Sequence, residues 1–135
     1  MTILRHPRPP KVLIVDNEPA ICRALSIVLQ REGFEAIASP SGEAALARLR
    51  SETFDVMLLD LRMPELRGDV LFHYAVALQP HLERRTIFMT GDISLKAQEI
   101  TDTLGCPVLL KPFDLKDVCG ALWSIIDDRN EGVAG

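Results

Sequence analysis

Short apolar runs alternate with amphipathic stretches along this chain, the pattern of repeated strand–helix units. The run from Lys11 to Val15 predicts a first strand. Pro19 suits the first turn of a helix, on which Ile21, Leu25, Val28 and Leu29 share one face before Gly33 ends it. Phe34 to Ala38 predicts a second strand, and Ser41 an N-cap for a helix carrying Ala44, Ala45, Leu46 and Leu49. Val56 to Leu59 is apolar throughout, as expected of a strand covered on both faces. A third helix is expected from about Val70 to Leu78, stopped before Pro80. A fourth strand follows over Thr86 to Met89, and a weakly amphipathic helix over Leu95 to Leu104. Val108 to Leu110 predicts the fifth strand. Asp114 then precedes a helix striped by Leu115, Val118, Leu122, Ile125 and Ile126. Trp123 lies off the centre of that stripe and is expected to be partly exposed.

Five such units without an internal linker imply one α/β domain, a doubly wound parallel sheet with helices on both faces. A strand order of 2-1-3-4-5 puts the first and third strands side by side at the switch point, where ligands of open α/β sheets bind. Four polar side chains then open onto one edge: Asp16, Asp60, Thr90 and Lys111 each follow an apolar run. Two carboxylates, a hydroxyl and an ammonium suit a cation together with an anion such as a phosphoryl group. Asp16 and Asp60 are expected to lie a few ångströms apart.

Composition narrows the rest. The chain has 135 residues, 47% hydrophobic and 25% charged, which suits one globular domain rather than a disordered segment. A formal net charge of −4 supplies no general electrostatic reason to bind nucleic acid or an anionic membrane. No apolar run approaches the roughly 20 residues of a membrane span. Residues 1–10, rich in Pro and Arg, read as a flexible leader without a signal peptide, and 129–135 as a polar tail. Cys22, Cys106 and Cys119 fit no zinc or disulfide pattern and read as free thiols of a cytoplasmic protein. His73 and His81 have no ligand partners at metal spacing and read as surface or packing residues.

Val-Asp-Asn-Glu-Pro at 15–19, Leu-Leu-Asp-Leu-Arg-Met-Pro at 58–64 with Gly68, Met-Thr-Gly at 89–91 and Lys-Pro-Phe at 111–113 resemble the receiver domain of bacterial two-component response regulators, of the chemotaxis-regulator type. The likeness covers nearly all of 11–128 and implies a flavodoxin-like fold. It implies that Asp60 is the phosphoacceptor, charged by a sensor histidine kinase or phosphotransfer protein. It implies Mg²⁺ held by Asp16, Asn17, Asp60 and the backbone carbonyl of Arg62. Thr90 and Lys111 would bind the phosphoryl oxygens, Gly91 would leave them room, and the Lys111–Pro112 bond would be cis. Such a domain is a signalling switch rather than an enzyme, able at most to catalyse its own phosphorylation and dephosphorylation. It stands alone or belongs to a larger protein, and a homodimer is compatible with it.

Two positions depart from the family pattern. Asn17 stands where a second acid is usual, so the pocket lacks one formal negative charge, with Glu18 beyond it. Val108 replaces the aromatic many receivers place three residues before the lysine, and a β-branched side chain has little swing. Arg62 and Asp92, each two positions beyond a pocket residue, are expected to face each other at the pocket mouth. Asn17 is the basis of an alternative reading, a pseudo-receiver that binds partners without being phosphorylated. A phosphatase with Asp-x-Asp after its first strand fits less well, because Asp16-Asn17-Glu18 ends in Glu.

Overall fold

The computed structural model describes the backbone of residues 8–134 and the side-chain surroundings of residues 8–127. Five strands form one parallel sheet in the order β2-β1-β3-β4-β5. The strands are β1 (Lys11–Val15), β2 (Glu35–Ser39), β3 (Val56–Asp60), β4 (Thr86–Thr90) and β5 (Val108–Leu110). The helices are α1 (Pro19–Arg31), α2 (Gly42–Ser51), α3 (Gly68–Leu78), α4 (Leu95–Leu104) and α5 (Leu115–Ala134). The doubly wound sheet expected from the alternating pattern, and the flavodoxin-like fold implied by the resemblance, are the observed architecture.

Alternation along each strand divides the interior into two cores. Leu13, Val15, Met57, Leu59 and Phe88 face α2 and α3, where they meet Ala45, Leu49, Leu71, Phe72 and Ala75. Val12, Ile14, Val56, Leu58, Ile87 and Met89 face α1 and α5, packing on Leu25, Leu29, Val118, Leu122 and Ile126. Every residue of β3 and β4 is buried, which explains why those strands read as unbroken apolar runs. Trp123 is half-buried and packs on Phe34 with ring centroids 4.4 Å apart.

Local chemistry sets the helix ends. The Ser41 hydroxyl accepts from the Ala44 amide at 3.1 Å, and the Ser94 hydroxyl from the Ala97 amide at 3.2 Å, so each caps its helix. Gly105 ends α4 at φ 71°, a left-handed conformation open to glycine.

Several expected boundaries move. Helix α3 starts at Gly68, two residues before Val70, because the Gly68 amide is drawn onto the Leu61 carbonyl at 2.9 Å. Strand β2 is shifted by one residue, its Glu35 amide pairing with the Pro10 carbonyl at 2.9 Å. A 3₁₀-helix over Pro80–Arg84, with no counterpart in the hydrophobic pattern, joins α3 to β4. Helix α5 continues to Ala134 through the segment expected to be a tail, where no proline interrupts the backbone. Residues 1–7 of the expected leader lie outside the described residues.

Candidate functional site

Strand register brings the four polar residues together. Val15 pairs with Leu59, so the next residues, Asp16 and Asp60, leave neighbouring strands at the same level. Asp60 pairs with Met89, which sets Thr90 one step further along. Thr90 pairs with Leu110, and the Lys111 amide donates to the Thr90 carbonyl at 2.9 Å. Each side chain thus sits where hydrogen-bonded strands end, on a rigid support rather than a free loop.

Lys111 is the hub. Its ammonium donates to Asp16 Oδ2 at 2.8 Å, Glu18 Oε1 at 3.2 Å and Asp60 Oδ2 at 3.3 Å. Asp16 is fully buried and Asp60 nearly so. Burying charge in a low dielectric is costly unless it is paired, so these carboxylates depend on the lysine. The remaining oxygens take backbone donors: Asp16 Oδ1 accepts from the Glu18 amide at 2.8 Å, and Asp60 Oδ1 from the Arg62 amide at 3.0 Å. Burial pushes the Asp60 carboxyl above its ordinary range; the Arg62 amide and Lys111 oppose that rise, while the charge of Asp16 adds to it. Burial works to lower the pKa of Lys111, but its hydrogen bond to Asp16 and the charges of Asp60 and Asp16 outweigh it, and the ammonium is held more firmly than usual.

The Lys111–Pro112 bond is cis. Thr90 is buried, and its hydroxyl oxygen accepts from the Asp92 amide at 2.9 Å. That bond leaves the O–H able to donate into the pocket. A Cβ on Gly91 would meet Lys111 Cβ at 3.9 Å, an ordinary contact, so packing against the protein does not require glycine there. Arg62 and Asp92 form the expected ion pair across the mouth, Arg62 being largely exposed. The Ser94 amide and hydroxyl, and after them Arg62, hold Asp92 below the usual carboxylate range against the opposing effect of burial.

Asn17 is exposed and lines a cleft of about 580 Å³ beside Asp60, together with Arg62, Met63, Arg67, Lys96 and Ile100. The donors along this edge are all oxygens, and the carboxylates already gather positive charge in the form of Lys111. That chemistry suits a hard divalent cation that keeps several waters. Asp16, Asp60, the Asn17 amide and the Arg62 carbonyl could hold such an ion. Among the described residues no group of three His, Cys, Asp or Glu side chains is arranged to hold a metal ion, so waters would complete the shell of an ion bound here.

Two contacts of the site were not readable in the sequence. Glu18, which the sequence placed only beyond Asn17, joins the hub through Lys111. Gly68 brings the start of α3 against the backbone of Asp60 and Leu61, too close for any Cβ.

The family model described as "Response regulator receiver domain" matches residues 12–122. The chain belongs to that family. Among curated relatives, the transcriptional regulatory protein GlrR of Escherichia coli K12 is 33% identical over 125 residues, which span 92% of this chain and 27% of that protein. The response regulator receiver protein CpdR of Brucella abortus is 29% identical over 109 residues, 80% of this chain and 89% of that one. The receiver domain thus spans about a quarter of GlrR but most of CpdR. A CheY-like receiver domain protein of Methanospirillum hungatei has a solved structure that superposes with a TM-score of 0.84 at 26% identity, covering 92% of this chain and 98% of that one. A Burkholderia pseudomallei response regulator, solved with a phosphorylated aspartic acid, a calcium ion and citrate, shares the fold at a TM-score of 0.76 and 22% identity, covering 91% and 72%. Receiver domains are signalling domains of two-component systems, and this chain is one of them.

Proposed function

We propose that this receiver domain accepts a phosphoryl group on Asp60 from a histidine kinase or phosphotransfer protein and signals by the resulting change in its surface. One observation carries the reading: Asp60, Asp16 and Lys111, drawn from three strands, converge within hydrogen-bonding distance. An Asp60 carboxylate oxygen attacks phosphorus, the bond from phosphorus to the donor nitrogen breaks, and an acyl phosphate forms as the imidazole leaves. Such transfers are limited by charge and alignment, which this chain's residues address. Lys111 offsets the negative charge as the nucleophile and phosphoryl oxygens meet, and Thr90 supplies a neutral donor. Gly91 leaves clearance for the group. Mg²⁺ bound by Asp16, Asn17, Asp60 and the Arg62 carbonyl would neutralise charge on the phosphoryl oxygens. The calcium ion and phosphorylated aspartate of the Burkholderia protein favour the same assignment.

Incubation with Mg²⁺ and acetyl phosphate, followed by intact mass, tests the proposal. A phosphate-sized gain that disappears in Asp60→Asn is expected; no gain would favour the pseudo-receiver alternative, whose basis is Asn17 alone and which the comparisons do not support. Among the described residues no helix is long and apolar enough to cross a membrane. Exchange with a histidine kinase of a two-component system would place the domain in the cytoplasm. A downstream protein partner or a second copy would read the switch.

Two smaller effects follow from this geometry. Asn17→Asp adds one charge near the cation; unit charges ~4 Å apart at a dielectric of ~20 interact by roughly 4 kcal/mol, most of it offset by ion hydration. Mg²⁺ affinity should rise by about one to two powers of ten in that variant, measured by titration calorimetry. We take the Arg62–Asp92 pair at the pocket mouth to hinder the water that hydrolyses the acyl phosphate. Arg62→Ala should shorten the phosphoryl half-life by about two- to threefold, in keeping with the modest worth of an exposed pair. An unchanged half-life would remove the pair from the mechanism.

A further inference from the structure

Lys111 has a third carboxylate partner that the phosphoryl chemistry leaves without a role. Glu18 precedes Pro19 at the N-cap position of α1, with extended backbone angles of φ −97° and ψ 110°. A side chain there commonly folds back onto the first helical amides. That of Glu18 makes no such bond. Its carboxylate instead accepts from the Lys111 ammonium at 3.2 Å. Its backbone, meanwhile, is held fast. The Glu18 amide donates to Asp16 Oδ1 at 2.8 Å, and its carbonyl accepts from the Ile21 and Cys22 amides at 3.1 and 3.2 Å. The carboxylate is therefore presented to Lys111 from a fixed base at the rim. It is more than half exposed, whereas Asp16 lies wholly buried beneath.

This places two kinds of acid on one ammonium. Asp16 anchors Lys111 from below, within the sheet edge. Glu18 contacts it from the exposed rim of the pocket. We propose that Glu18 is a positioning residue that engages the Lys111 ammonium in competition with the incoming phosphoryl group, and so sets how tightly anionic phosphodonors are bound. The proposal rests on Asp60 being the phosphoacceptor. A donor must displace Glu18 from Lys111, and it meets the Glu18 charge as it enters. Glu18 is displaced before the chemical step, so removing its charge acts on donor binding more than on that step.

The test is the rate of phosphorylation against acetyl phosphate concentration at saturating Mg²⁺, followed by intact mass. Glu18→Gln keeps the length and polarity of the side chain and deletes its charge. It should lower the half-saturating donor concentration about two- to fivefold, the span an exposed ion pair commands, with a much smaller change in the limiting rate. The difference should shrink as salt rises, because exposed charges are screened. Glu18→Asp separates contact from field: its carboxylate retreats by one methylene yet stays at the rim. Behaviour like Glu18→Gln supports direct competition for Lys111; behaviour like the parent protein overturns it. A second readout needs neither donor nor metal. Hydrogen exchange of the Lys111 ammonium, followed by ¹H–¹⁵N correlation spectra of the metal-free protein, should quicken in both variants. If the parent protein takes up no phosphoryl group, the proposed function fails, while the exchange data still decide whether Glu18 holds the lysine. Equal half-saturation in parent and Glu18→Gln, with equal exchange, overturns the inference alone.

Discussion

Lys111→Met should destabilise the domain by about 3 kcal/mol at neutral pH, the usual cost of leaving buried charge without its partner. The ammonium contacts a fully buried carboxylate and a nearly buried one, and methionine preserves the packing of the stem while deleting the charge. The loss should depend on pH in a defined direction. Asp60 already titrates above its ordinary range through burial, and removal of Lys111 takes away one of the two influences that oppose that rise. A carboxyl whose folded pKa is raised binds more protons folded than unfolded between the two values, so stability falls as pH rises through that window. The penalty should therefore be full at neutral pH and shrink on acidification, as the carboxyl protonates in the folded state. Urea melts at a series of pH values would measure it. Adding Asp16→Asn should recover much of the loss, and a double-mutant cycle would assign the remainder to the pair. A pH-independent deficit would mean that Lys111 acts through packing alone.

Gly68→Ala should cost about 2–3 kcal/mol, within the usual range for forcing extra volume into packed structure. The added Cβ would fall on the carbonyl oxygen of Asp60 and stand 2.8 Å from Leu61 Cα. Both obstacles are backbone, so no side chain can rotate to make room. Either α3 shifts or the Asp60 carbonyl turns, and the second outcome moves the phosphoacceptor itself. Phosphorylation by acetyl phosphate should accordingly slow more than the loss of stability explains. Gly120→Ala is the fitting control, since a Cβ there meets nothing within 4 Å. Its helix should be unharmed or slightly firmer.

The site was legible in the sequence to the extent that strand ends are. Asp16, Asp60, Thr90 and Lys111 each close an apolar run, and a parallel sheet of known order places such ends side by side. Ser41 was readable for a similar reason, because capping is settled within four residues. Glu18 was not, since the residue that engages its carboxylate lies 93 positions away and nothing local forecasts a side chain forsaking its own helix. Gly68 was visible as part of the motif after Pro64, but the backbone it admits becomes apparent only once β3 and α3 are packed. Gln79 was equally hidden. Its amide donates to the Leu49 and Glu52 carbonyls and accepts from Phe54 N–H, so a polar residue is consumed by interior backbone that the pattern gives no means to foresee.

The strand that delivers Lys111 is also a border of the sheet. Three residues long and flanked by Pro107 and Pro112, β5 offers few free amides to a neighbouring molecule. Brevity at that margin guards against runaway strand-to-strand stacking between copies, even though Leu110 lies open to water. The polypeptide can keep its pocket lysine beside an edge strand without inviting fibrils.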